Sequence, residues 1–154
     1  MKVYLGIDPG SASGCIAMLI LNNGEEIFKT IEFSKFTTKE WYGELEKILC
    51  DFSCEAVLEK VHGMPGMGVQ SISAFMKNVG HIEMALIALG IPFKEITPQT
   101  WMKFYNLKKE KDESKTEWKR RLREHLQRIL PDFKCTNDTA DAMLIAYYAM
   151  QTDK

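Results

Sequence analysis

Long apolar runs are missing from this chain, and so is an N-terminal stretch of charge followed by apolar residues. Those absences exclude a bilayer-spanning helix and predict a soluble, intracellular protein. Cysteine is sparse and badly spaced for metal. Cys15, Cys50, Cys54 and Cys135 include no Cys-x-x-Cys pair and no matching pair among the three histidines, which argues against zinc and against a disulfide framework. They read as reduced thiols, small buried hydrophobes in the main. Repeats and low-complexity tracts are absent too. With 154 residues and 17.7 kDa the chain has material for one core, so a single domain over 1–154 with no internal boundary is expected.

What is present alternates strands with helices. Val3 to Ile7 is an apolar run that reads as a buried strand, and it delivers Asp8 into a Pro9-Gly10-Ser11 turn. Gly14 to Leu21 and Glu25 to Phe33 flank Asn22-Asn23-Gly24, a hairpin signal, so the first three strands should run antiparallel. Thr37 or Thr38 should cap a helix with Trp41, Leu45, Ile48 and Leu49 as its stripe, running to about Phe52. A strand through Ala56-Val57-Leu58 ends at Glu59, and the Gly- and Pro-rich stretch from Val61 to Val69 must be an exposed loop. A helix from about Gln70 to Leu89 follows, with Ile72, Phe75, Met76, Val79, Ile82, Leu86 and Leu89 at helical spacing, Gly80 open to close backbone approach, and Gly90 as terminator. Ile91 to Ile96 reads as a fifth strand, Pro98 opens a short helix to Phe104, and Asn106 to Ser114 should be polar and mobile. The next helix, Lys115 to Leu130, places Trp118, Leu122, Leu126 and Ile129 on one side; Pro131 closes it. This order implies a five-stranded mixed sheet flanked by helices, an α/β arrangement compatible with the ribonuclease H-like topology.

Four carboxylates stand where strands end or helices begin: Asp8, Glu59, Asp138 and Asp141. Asp138-Thr139-Ala140-Asp141 should open the apolar helix Ala142 to Met150, with both aspartates on one helical face. Like charges held so close repel. An all-oxygen site of this kind suits Mg²⁺ or Mn²⁺. Each acid also has an ordinary reading: a turn former at Asp8, a solvated strand end at Glu59, a helix cap at Asn137 or Asp138.

The net charge of −1 hides an asymmetry. Residues 101–130 hold ten Lys or Arg against five Asp or Glu, a basic segment in an otherwise acidic chain. A basic surface beside an acidic pocket suits a phosphate backbone; a solvated helix face is the plainer alternative.

Four stretches, in order, resemble the RuvC family of Holliday junction resolvases, its phage-like members in particular: Gly6-Ile-Asp-Pro-Gly-Ser11, Leu58-Glu-Lys-Val-His-Gly-Met-Pro-Gly-Met-Gly-Val-Gln70, Ile96-Thr-Pro-Gln-Thr-Trp101 and Asp138-Thr-Ala-Asp-Ala-Met-Leu-Ile-Ala146. The resemblance implies a single RuvC-like nuclease domain and a homodimer that nicks four-way DNA junctions in symmetric pairs, with two Mg²⁺ or Mn²⁺ ions held by Asp8, Glu59, Asp138 and Asp141. Asp8, on the first strand, is the expected bridging ligand. The family's lysine near the metals has two counterparts here, Lys111 and Lys115. His62 stands where housekeeping members carry an aromatic, which puts the wedge role in doubt; a phosphate contact is its expected part, with general base the alternative. Gln70, Lys119, Arg120 and Arg123 complete the expected DNA-binding set, while His81, His125, Phe75 and Trp101 read as structural. The resemblance also implies a cytoplasmic protein of a bacterium or of a phage-infected host.

Two other readings compete. One is a branched-DNA binder of the same fold with little or no turnover. The other is an actin-like phosphotransferase, whose Asp-x-Gly turn is similar but whose second lobe and adenosine pocket this length cannot house.

Overall fold

A computed structural model of the chain describes residues 1–49, 52–61 and 66–153. Five strands form one sheet in the order β3-β2-β1-β4-β5: β1 (Lys2–Asp8), β2 (Cys15–Asn22), β3 (Glu25–Glu32), β4 (Ser53–Glu59) and β5 (Phe93–Ile96). β1 runs antiparallel to β2 and β2 to β3, while β4 is parallel to β1 and β5 to β4. The hairpin turn is made by Asn23 and Gly24, both at positive φ (51° and 90°), the conformation that Asn-Gly adopts at least cost. The α-helices among the described residues are, in chain order, α1 (Thr38–Leu49), α2 (Val69–Ala88), α3 (Pro98–Phe104), α4 (Lys115–Ile129) and α5 (Ala140–Thr152).

The sheet divides two apolar layers. On one face Val3, Leu5 and Ile7 pack with Trp41 and Leu45 of α1 and Ile82 and Leu86 of α2. On the other, Tyr4, Ala17, Leu19 and Val57 meet α5, α4 and Trp101 of α3. Alternation along β1 produces both layers, since successive side chains leave a strand on opposite faces.

Helix α5 lies unusually close to the sheet. A Cβ on Gly6 would sit 2.0 Å from the Ala142 carbonyl oxygen and 2.2 Å from the Ala146 nitrogen. Only glycine lets the backbone of α5 rest on the centre of β1. At the end of the strand Gly14 is equally constrained, because a Cβ there would meet the Gly10 oxygen at 2.2 Å and the Asp8 carbonyl oxygen at 2.4 Å. The Gly14 N–H donates to Gly10 O at 2.7 Å and closes the loop that follows Asp8.

Several expectations change. Helix α5 starts at Ala140 with Thr139 as its N-cap, so Asp138 precedes the helix instead of sharing its face with Asp141. Thr136 and Thr139 tie that turn by reciprocal bonds, each backbone N–H donating to the other's hydroxyl (3.0 and 3.2 Å), which leaves neither Asn137 nor Asp138 as the cap. The apolar stripe of α2 is only partly used: Ile82, Ala85 and Leu86 are buried, but Val69 (80 % exposed), Met76, Met84 and Ile87 face outward. Among the described residues nothing outside the helix's own turns lies within 4 Å of a Cβ built on Gly80, so the close backbone approach expected there is not seen among them. β5 begins at Phe93, two residues later than the pattern suggests. Residues 106–114 are anchored, since Arg121 binds the Lys108 carbonyl (2.5 Å) and pairs with Glu113 (2.8 Å). Cys15 and Cys54 are buried free thiols and Cys135 is half-buried. Cys50, His62 with the adjoining loop residues to 65, and the side chain of Leu49 lie outside the described residues.

Candidate active site

The carboxyl ends of parallel β1 and β4 lie side by side, with Ile7 opposite Leu58, so Asp8 and Glu59 leave neighbouring strands at the same edge. Ligand sites on α/β sheets open at this edge. One Asp8 oxygen accepts the Gly10 N–H at 3.1 Å, an interaction that the Pro9-Gly10 turn arranges locally. Glu59 also ends the pairing with β5, opposite Ile96. Its Oε1 accepts the indole N–H of Trp101 at 2.8 Å.

Helix α5, seated over Gly6, brings Asp141 to the same place. Asp141 is buried, with Asp8 and Glu59 half-buried beside it. Its Oδ2 accepts from Lys119 Nζ at 2.5 Å, while its Oδ1 is buried without a partner. Asp138, one turn earlier, is exposed.

These groups feel one another strongly. Burial, then the charge of Asp141, pushes the Asp8 carboxyl up to about 6; Lys119 and the Gly10 N–H act the other way, and Asp138 adds to the rise. Burial, then Asp8, raises Glu59 to about 7, against the Trp101 bond. Asp141 is raised by burial despite Lys119. Burial alone would lower Lys119, but Asp141, Asp8 and Glu59 together hold its ammonium above the ordinary range. Asp8 is thus the hub, with Glu59 and Asp141 on either side and a single ammonium among them.

A stability prediction follows, with a definite sign. Asp8 and Glu59 hold protons more tightly folded than unfolded, where such groups titrate near ~4. Their contribution favours the folded chain at low pH and is lost as pH rises through about 6 and 7. A displacement of this size corresponds to roughly 3 kcal/mol per group as an upper figure. In chelator, the melting temperature should fall by on the order of 5–10 °C between pH 5 and pH 8. Added Mg²⁺ should restore it at pH 8 and do little at pH 5. Equal melting temperatures at both pH values in chelator would show that burial and neighbouring charge do not raise these carboxyls.

The donor set fits a hard divalent cation: carboxylate oxygens only, partly desolvated, one of them orphaned at Asp141. As the side chains stand, no three acidic, histidine or cysteine groups among the described residues form a ready cage. Lys119 takes the compensating place instead. Asp8, Glu59, Asp141 and, by a turn of its exposed side chain, Asp138 could hold an ion at this edge.

No family model matches the chain, and no curated protein sequence does either. Solved structures do. Thermus thermophilus RuvC in complex with Holliday junction substrate superposes with a TM-score of 0.60 at 16 % identity, over 99 % of this chain and 97 % of that one. Another Thermus thermophilus RuvC structure gives 0.57 at 17 %, over 99 % and 98 %. The fold is that of RuvC. The fowlpox virus resolvase, in complex with its substrate Holliday junction DNA, shares it with a TM-score of 0.55 at 15 % identity, over 97 % of each chain.

Mapped on the RuvC fold, the expected site residues divide. Asp8, Glu59 and Asp141 come together, with Asp138 at the rim. Lys119, expected on the DNA side, is the lysine that reaches the acids; Lys111 and Lys115 are exposed, although Lys115 lies near enough to lower Asp141 slightly. Gln70 is exposed at the start of α2. Arg120 is exposed beside Glu124 at 3.8 Å, and Arg123 is half-buried. His81 meets the Thr38 hydroxyl at 3.3 Å, and His125 packs edge-on against Tyr105 with a buried, unpartnered Nε2. Trp101 is the residue whose part the pattern missed. Its apolar spacing fits core packing, and the only hint of more was its place five residues beyond the strand end that pairs with Glu59.

Proposed function

We propose that this chain is a structure-selective DNA endonuclease that resolves four-way and related branched junctions by metal-dependent phosphodiester hydrolysis. The observation that carries the reading is the convergence of Asp8, Glu59 and Asp141 at the carboxyl edge of the sheet, where burial and mutual repulsion leave a deficit of positive charge. Two of the solved structures that share the fold hold Holliday junction substrates, which supports junction DNA as the partner here. Mg²⁺ or Mn²⁺ bound by Asp8, Glu59, Asp138 and Asp141 would lower the pKa of the attacking water and offset charge on the leaving oxygen. The chain's own residues do the rest. Asp8 presents its carboxylate from the middle strand, held by the Gly10 N–H. Lys119 neutralises Asp141 until a cation takes over that duty, and its ammonium is then available to a backbone phosphate. Gln70, on α2, and Arg120 and Arg123, on α4, are the residues suited by chemistry to contacts with the DNA arms.

A homodimer belongs to the same proposal. Val69, Met76, Met84 and Ile87 project from α2 into open space, an apolar exposure suited to a second copy. Two sites related by a dyad would cut opposing strands.

A synthetic four-way junction incubated with the protein and Mg²⁺ should yield paired, ligatable nicks, while linear duplex stays intact; sedimentation should show twice 17.7 kDa. Failure to nick in either Mg²⁺ or Mn²⁺, with the junction still bound, would favour the second reading, a branched-DNA binder of this fold. Lys119 lying among the acids is the feature on that side.

A further inference from the structure

Trp101 makes a contact that the proposed chemistry has not used. It is 1 % exposed, belongs to the buried cluster built around α5 and α4, and has Tyr105 against its ring at 6.5 Å between centroids. A buried indole N–H needs an acceptor, and a backbone carbonyl is the usual one. Here the acceptor is a carboxylate at the strand end, Glu59. The approach is built by the chain path: Ile96 pairs with Glu59, the Lys60 N–H donates to Ile96 O at 2.7 Å, and Pro98 starts α3 so that one turn later Trp101 lies back over the end of β4.

The chemistry of the donor is informative. Lys119 cancels the charge of Asp141, whereas an indole N–H is neutral and orients Glu59 without cancelling anything. Among the described residues no second donor reaches Glu59, so one oxygen is tied back and the other is left for a cation. Outer partners that hold a ligating carboxylate in one rotamer govern how well the metal is bound.

We propose that Trp101 is the positioning residue for Glu59: its N–H fixes one carboxylate oxygen so that the other is presented to a divalent cation. This rests on the metal-dependent reading above.

Trp101→Phe keeps the ring and removes the donor. By isothermal titration of the DNA-free chain, it should bind Mg²⁺ roughly 10-fold or more weakly than the parent. Junction binding in chelator should be unchanged. The parent supplies an independent readout. Of its three tryptophan indole N–H resonances, the one missing from Trp101→Phe should move as Mg²⁺ is added. Equal Mg²⁺ affinity in the two proteins, or an indole signal that stays still while calorimetry shows saturation, overturns the inference and leaves the nuclease reading standing. If Trp101→Phe does not fold, the parent's indole signal decides. A parent that binds no Mg²⁺ or Mn²⁺ at all brings down both, and the blank titration of the unmodified chain identifies that case.

Discussion

Asp8→Asn should lose at least ~1000-fold in junction nicking, about 4 kcal/mol of transition-state stabilisation, while binding the junction as the parent does. Asn is nearly isosteric and keeps an oxygen for the Gly10 N–H, so the turn after β1 survives. What disappears is the central negative charge, the one coupled to Asp141, Asp138 and Glu59. Because that charge repels its neighbours in the absence of a cation, the variant should also melt higher than the parent at pH 8 in chelator. Losing activity while gaining stability is the signature of a site held under electrostatic strain. Gel mobility with labelled junction, a nicking time course and a melting curve check all three parts. Parental nicking by Asp8→Asn would exclude the mechanism.

Gly6→Ala should produce the largest loss of stability of any single methyl group added to the sheet, at least about 3 kcal/mol. The new Cβ would fall 2.0 Å from one backbone atom of α5 and 2.2 Å from another, and no rotamer change can relieve a clash with backbone. The helix must lift. Asp141 rides on its first turn, so lifting α5 also draws that carboxylate away from Asp8. The variant should therefore show both a lower denaturation midpoint and weakened Mg²⁺ binding in whatever fraction folds. A control at Gly24, where nothing stands within 4 Å but φ is +90°, should cost only the backbone strain of a turn, on the order of 1 kcal/mol. Comparable losses at the two positions would mean that the close packing of α5 on β1 is not what matters.

Much of the architecture was legible in residue order. The apolar run Val3–Ile7, the Asn23-Gly24 turn and the helical spacing of Trp118, Leu122 and Leu126 are local signals, and each of these elements appears within a residue or two of its expected place. The acids at Asp8 and Glu59 were legible for the same reason: a strand's last residue is fixed by where its apolar run stops. Helix α5 was harder at its start. Asp138 and Asp141 share the spacing of one helical face, but the Thr136–Thr139 pairing delays the start of the helix to Ala140, two residues after Asp138, and that exchange of hydrogen bonds competes with helical capping in a way spacing cannot reveal. The stripe on α2 misled differently. Periodicity reports which side of a helix is apolar, and not whether this chain or another one covers it.

Residue order thus settled which segments become strands and helices and placed acids at their ends, because those outcomes depend on neighbours within one turn or one pleat. Folding in three dimensions decided which groups share a site: that Asp141 is buried and Asp138 exposed, that Lys119, rather than Lys111 or Lys115, makes the ion pair with Asp141, and that Trp101 grips Glu59. Those pairings join residues 22 and 42 positions apart through packing over Gly6 and the end of β4, and electrostatic energy depends on such distances and on burial, neither of which is written along the chain.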